Sequence, residues 1–174
     1  MFETLQAWGV RHVFCCPGTT EVSLLDASID HPSPELMLTT HESVAVAMAD
    51  GYARASGELG VAYLHTHLGL ANGLAHLHCA ALARSPVAVL TGLKPSKLAG
   101  RKGFTHVPQT GDLARPFCKS VREARLLEED LHHTLAAALT PPAGPAYLGI
   151  PQDVLESAAG RALPRSPRVR LRPD

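Results

Sequence analysis

Short apolar runs alternate along this chain with longer stretches of helical spacing. "HVFCC" ends in Pro17-Gly18, and in the following "TEVSLLDASID" Val22, Leu24 and Leu25 recur at helical intervals. "ELMLTT" leads into a helix predicted to begin near His41, and "GVAYLHT" leads through Gly69 into the helical "LANGLAHLHCAALARS". "PVAVLTG" opens onto a Gly- and Lys-containing loop from Leu93 to about Gly111; "RPFCKSV" precedes the helical "EARLLEEDLHHTLAAAL", and "PAYLGI" closes the series. Six strand-like runs alternating with helices predict an α/β fold: a flavodoxin-like, three-layer α/β/α domain with a six-stranded parallel sheet. In such sheets ligands sit outside the carboxyl ends of the strands. Pro17-Gly18, Glu42, "HTHLG" and the 93–111 loop all fall at those ends.

The pattern stops near residue 156. Between Gly160 and Asp174 there are three prolines and five arginines in 15 residues, which disfavours a packed element. Residues 1–156 are therefore expected to form the domain, and 157–174 a Pro/Arg-rich tail or linker. A chain of 174 residues is long enough for one real core.

Sixteen basic and sixteen acidic residues give zero formal charge, so no bulk attraction to nucleic acid or an anionic membrane is expected. The four cysteines lack C-x-x-C spacing, which excludes a disulfide framework or zinc ribbon and suits a reducing, cytoplasmic setting. Apolar stretches break well before the roughly 20 residues of a membrane span. The N-terminal "MFETLQAWGVRHVF" lacks the layout of a signal peptide.

Several residues invite a chemical reading. Thr39 and Glu42 have the S/T-x-x-E spacing of a capping box, so Glu42 reads either as an ordinary helix-start acid or as a carboxyl kept for chemistry. His65 and His67, at i and i+2, would share a face if both lie on a strand, but no third ligand is spaced for a metal. Gly57 reads as a helix-ending glycine, and Gly51, inside a helical run, suggests close packing. No G-x-G-x-x-G and no G-x-x-x-x-G-K-[ST] loop is present to cradle phosphate. From the residues alone, the site is a polar strand-end cluster without a complete catalytic set.

"GVRHVFCCPGTTEVSLLDA", "HESVAVAMADGYARASG", "LANGLAHLHCAALARSPVAVLTG", "ARPFCKSV" and "GPAYLGIPQDVL" follow one another as in the thiamine diphosphate enzymes. The chain resembles their N-terminal pyrimidine-binding domain over about residues 1–156, and within that superfamily most resembles the benzoylformate decarboxylase group. The resemblance implies that Glu42 hydrogen-bonds N1′ of the cofactor pyrimidine and stabilises its imino tautomer. Val44, Val46 and Met48 are expected to supply an apolar setting for it. His65 matches a histidine that transfers protons to and from the substrate, work suited to an imidazole. Thr19 stands where the group carries a substrate-contacting serine. Pro17, Gly18, Gly69 and Asn72 match cofactor-side positions, with Asn72 opening its helix, and His106 is a candidate substrate contact beside Phe104 and Thr105. His67, Leu68 and Gly69 depart from the family's small-residue loop.

The resemblance also implies a missing half. Family members hold the cofactor diphosphate and its Mg2+ on a second domain with a GDG…N motif, rich in the oxygen ligands magnesium prefers. Here the only Gly-Asp is Gly111-Asp112, followed by leucine. Two explanations fit, a subunit of a split enzyme or a fragment of a longer chain whose Pro/Arg-rich end begins a linker; the expectation is the first, the pyrimidine-binding subunit of a split thiamine diphosphate-dependent 2-oxo acid decarboxylase or carboligase. Its site would be completed by a separate diphosphate- and Mg2+-binding subunit in an α₂β₂-type hetero-oligomer. The alternative is a catalytically inactive binding or regulatory module derived from such an enzyme.

Overall fold

The computed structural model describes residues 1–98, 101 and 106–157. Six strands form one wholly parallel sheet: β1 (His12–Cys16), β2 (Glu35–Leu38), β3 (Gly60–His65), β4 (Val87–Leu93), β5 (Ser120–Glu123) and β6 (Ala146–Pro151), in the spatial order β2-β1-β3-β4-β6-β5. Helices α1 (Phe2–Ala7), α2 (Val22–Ser28), α3 (Glu42–Ser56), α4 (Thr66–Ala83), α5 (Leu127–Leu139) and α6 (Gln152–Ser157) complete the three-layer α/β/α domain. Residues 158–174 and the candidates Phe104 and Thr105 lie outside the described residues.

Strict side-chain alternation along the central strands feeds two separate cores. Ala62 and Leu64 of β3, with Val87 and Val89 of β4, face Ala45, Val46, Ala49 and Ala53 of α3 and Leu70, Leu77 and Ala80 of α4. Val61 and Tyr63, with Ala88 and Leu90, point the other way, against Leu24 of α2 and Leu127, Leu131 and Leu135 of α5. Each fully buried leucine contributes on the order of 2 kcal/mol. Helix α3 packs very closely. A Cβ on Gly60, where β3 begins, would lie 2.2 Å from the Ala49 carbonyl oxygen, so only glycine fits there.

Several sequence expectations change. Thr39 and Glu42 do not form a capping box. Strand pairing continues through Thr39, whose N–H donates to the Cys15 carbonyl at 2.8 Å, so the helix cannot begin there. The Thr39 hydroxyl donates to the Cys15 and His41 carbonyls, and His41 becomes the cap, its Nδ1 accepting from Ser43 N–H. Gly51 packs against nothing, since an added Cβ would meet no atom within 4 Å; close approach belongs to Gly60 and Gly73 instead. Gly57 does end α3 in the left-handed conformation, at φ 70°. The fifth strand starts at Ser120, beyond "RPF", and its helix starts at Leu127 rather than at the acid before it.

Candidate active site

Helix α4 begins immediately after β3. His65 is the last strand residue and Thr66 the first helical one, at φ 51°, a left-handed turn costly for a β-branched residue. This abrupt reversal separates His65 from His67, which lies in the first turn of α4, so the two do not share a strand face. It also places Asn72 in the second turn of α4 instead of at its start, and Gly69 within the helix.

Those shifts bring α4 against Glu42. Asn72 Nδ2 donates to Glu42 Oε2 at 2.9 Å, and Gly69 leaves a gap over the same carboxyl that a Cβ would narrow to 3.0 Å from Oε1. Among the described residues nothing donates to Oε1. Glu42 is the first residue of α3, where the helix dipole favours a negative charge. Of the expected apolar neighbours, Val46 is buried, Met48 is half-buried and Val44 is 43% exposed. The carboxyl is therefore anchored on one oxygen and open on the other. That geometry fits a protonated pyrimidine ring nitrogen donating to Oε1, which the missing side chain at Gly69 leaves accessible.

On the opposite face of the sheet, beside α2, lies a residue to which the sequence analysis gave no role. Glu21 ends a 3-10 turn (Thr19–Glu21) and is fully buried. Its Oε2 accepts from Gly18 N–H at 2.7 Å and lies 2.8 Å from His65 Nδ1, while Oε1 accepts from the Thr20 hydroxyl. Thr20 Oγ1 also approaches His65 Nδ1, at 3.2 Å. Two glycines make room. A Cβ on Gly92 of β4 would stand 1.8 Å from Glu21 Oε1, and one on Gly18 only 2.4 Å from His65 Nδ1. Below them Tyr63 is wholly buried, and burial first, then the Glu21 charge, push its phenol well up. An acid in the first turn after Pro-Gly was visible in the sequence, but nothing in its spacing pairs it with a histidine 44 residues on.

The remaining candidates are peripheral to these two carboxyls. Thr19 is exposed beside Gly18, and the adjacent Thr20, not Thr19, reaches His65. Pro17 is half-buried at the end of β1. His106 is half-buried and bonds to neither Glu42, Glu21 nor His65. Cys16, the last residue of β1, has a thiol pushed up by burial, then by the charge of Glu42 and, less, by that of Glu21. No described helix is long and apolar enough to cross a membrane.

Comparison with known proteins places the chain in a family. The family model described as "Thiamine pyrophosphate enzyme, N-terminal TPP binding domain" matches residues 1–113. The chain is 32% identical over 156 residues to benzoylformate decarboxylase of Pseudomonas aeruginosa, covering 87% of this chain and 29% of that one. It is 32% identical over 158 residues to the large subunit of acetolactate synthase isozyme 3 of Escherichia coli, covering 86% and 26%. The structure of the thiamine diphosphate-dependent 4-hydroxybenzoylformate decarboxylase of Rhodococcus jostii RHA1 superposes with a TM-score of 0.79 at 25% identity, over 94% of this chain and 33% of that one. The chain thus spans between about a quarter and a third of the length of these relatives. With this match over residues 1–113 and the three-layer fold behind it, the chain belongs to the thiamine pyrophosphate enzyme family and carries that family's N-terminal TPP-binding domain.

Proposed function

We propose that this chain is the pyrimidine-binding subunit of a split thiamine diphosphate-dependent 2-oxo acid decarboxylase or carboligase. A separate polypeptide with a GDG…N motif holds the diphosphate and Mg2+, in an α₂β₂-type hetero-oligomer. The observation that carries the reading is Glu42, with Oε2 tied to Asn72 and Oε1 free over Gly69.

Thiamine diphosphate, when bound, supplies the carbanion chemistry. Glu42 would hold the pyrimidine by sharing a proton with its ring nitrogen, and Asn72 keeps the carboxyl from rotating away. His65, at the same strand-end edge, accepts and returns a proton at the substrate. Thr19 offers an exposed hydroxyl to orient the 2-oxo acid. Gly111-Asp112 does not supply the GDG…N motif itself. It sits in a 3-10 turn with Asp112 paired to Arg115 at 2.8 Å, an arrangement unlike a metal-binding loop.

A native pull-down followed by mass spectrometry tests the proposal. The expected result is a co-purifying chain with the GDG…N motif, and a complex whose melting temperature rises on adding thiamine diphosphate with Mg2+. A partner without that motif, or a complex indifferent to the cofactor, overturns the split-enzyme reading and leaves a binding or regulatory module.

A further inference from the structure

We infer that Glu21 is a positioning residue for His65, holding the neutral imidazole with its proton on Nδ1 so that Nε2 is left as the outward-facing proton acceptor. The inference rests on the proposed role of His65 as the group that moves protons, but its geometry stands apart from it.

Three donors converge on the Glu21 carboxyl: Gly18 N–H, the Thr20 hydroxyl and, at 2.8 Å, His65 Nδ1. Both oxygens already accept, Oε2 from Gly18 N–H and Oε1 from the Thr20 hydroxyl, so the carboxyl serves as acceptor and Nδ1 supplies the hydrogen. In neutral imidazole one nitrogen donates and the other accepts, and the bond made by the first decides the tautomer. Nε2 makes no hydrogen bond among the described residues. It is also not among the buried polar atoms left without a partner, so it faces solvent. The His65 side chain as a whole is 22% exposed, against 0% for Glu21.

A free histidine side chain in water prefers the opposite tautomer, with hydrogen on Nε2. The fold therefore holds His65 against its own preference. The space for doing so is built in, because a Cβ on either Gly18 or Gly92 would displace the imidazole or the carboxylate. A buried carboxylate without this partner would be costly, which secures the pair against rearrangement. When Nε2 takes a proton, the imidazolium that forms lies directly against a negative charge. Glu21 itself need not touch substrate or cofactor.

The test is nitrogen-15 NMR on the full chain with labelled histidine, the His65 signals being assigned by their loss in His65→Asn. In the wild type, neutral His65 should show a protonated Nδ1 and an unprotonated Nε2. Glu21→Ala should shift the population towards hydrogen on Nε2. Glu21→Gln, which keeps an acceptor oxygen, should retain the wild-type tautomer, and so should Thr20→Val. A wild-type His65 with its hydrogen on Nε2 overturns the inference, as does an unchanged tautomer in Glu21→Ala. If Glu21→Ala does not fold, the wild-type spectrum decides alone, and a flipped tautomer in Thr20→Val would assign the positioning to Thr20 instead. The measurement needs no cofactor. A correct tautomer in a chain that proves indifferent to thiamine diphosphate would sink the functional reading and leave this one standing, and a wrong tautomer in an active complex would do the reverse.

Discussion

The two carboxyls at the carboxyl end of the sheet live in opposite circumstances. Glu21, on the α2 face, is fully buried, with both oxygens occupied and glycines cleared around it. Glu42, on the α3–α4 face, is half-buried, holds one partner and leaves one oxygen open. The first carboxyl is committed to its protein neighbours and the second is available to something that arrives. A binding group must keep unfilled valence, whereas a group that orients another must have none left over.

Four measurements probe that contrast. On the proposed function, the largest effect is expected from Glu42→Gln in the complex with the proposed partner chain, where turnover should fall by roughly 10²–10⁴-fold, the range for losing one acid–base contact. Its melting temperature should barely move, and near-normal turnover would remove Glu42 from the chemistry. The stability experiment inverts the ranking. Glu21→Ala leaves Gly18 N–H and His65 Nδ1–H without their acceptor and should cost about 2 kcal/mol, which for this size of chain lowers the melting temperature by roughly 4–8 °C. Glu42→Ala should cost about 1 kcal/mol or less, in line with an exposed contact. Equal losses at the two positions would erase the distinction.

A smaller effect follows from helix α3 itself. Gly51→Ala should stabilise the protein by about 0.5–1 kcal/mol, because the added methyl meets nothing and the helical backbone gains from losing glycine. Denaturant unfolding reads this directly, and a destabilised variant would mean that this face of α3 is covered. The finest comparison uses the Cys16 thiol, which feels both charges. Thiolate is the reactive form, and a nearby negative charge suppresses it. Removing the charge at Glu42 should therefore lower the Cys16 pKa and speed its alkylation at mildly alkaline pH. Glu21→Gln should do so less, since Glu42 is the stronger of the two influences. Cys79, which is exposed, must first be changed to serine. The reverse order would mean that the Glu42 charge is better screened than its position implies.

How much of this was legible beforehand depended on the range of the interaction. Strands and helices follow local periodicity, and the runs "HVFCC", "GVAYLHT" and "PAYLGI" coincide to within one residue at either end with β1, β3 and β6. Glu42, Gly69 and Asn72 were three of the five cofactor-side positions that family resemblance implied, and the fold brings these three together, whereas Gly18 lies against Glu21 and His65. Failures arose where a local pattern met a non-local competitor. The Thr39–Glu42 spacing is sound for a cap, but β1 already holds Thr39 in the sheet. Gly51 had a plausible packing partner in principle and open space in fact. Glu21 was hidden for the same reason. Its distant partner sits on β3 and the glycine that makes room for it on β4, and the sequence records them only as a histidine 44 residues away and a glycine 71 away.

Gly60 extends the meaning of the site beyond its edge. Its bare Cα lets α3 rest on the sheet at Ala49, seven residues or about 10 Å along the helix from Glu42. The helix is then a lever with its fulcrum at that contact. A wedge tilting it by about 5° would swing Glu42 by roughly 1 Å, a displacement of the size that can cost about a hundredfold in rate. The aim of the carboxyl is thus set from the far side of a hydrophobic core, by a residue that has no chemistry of its own.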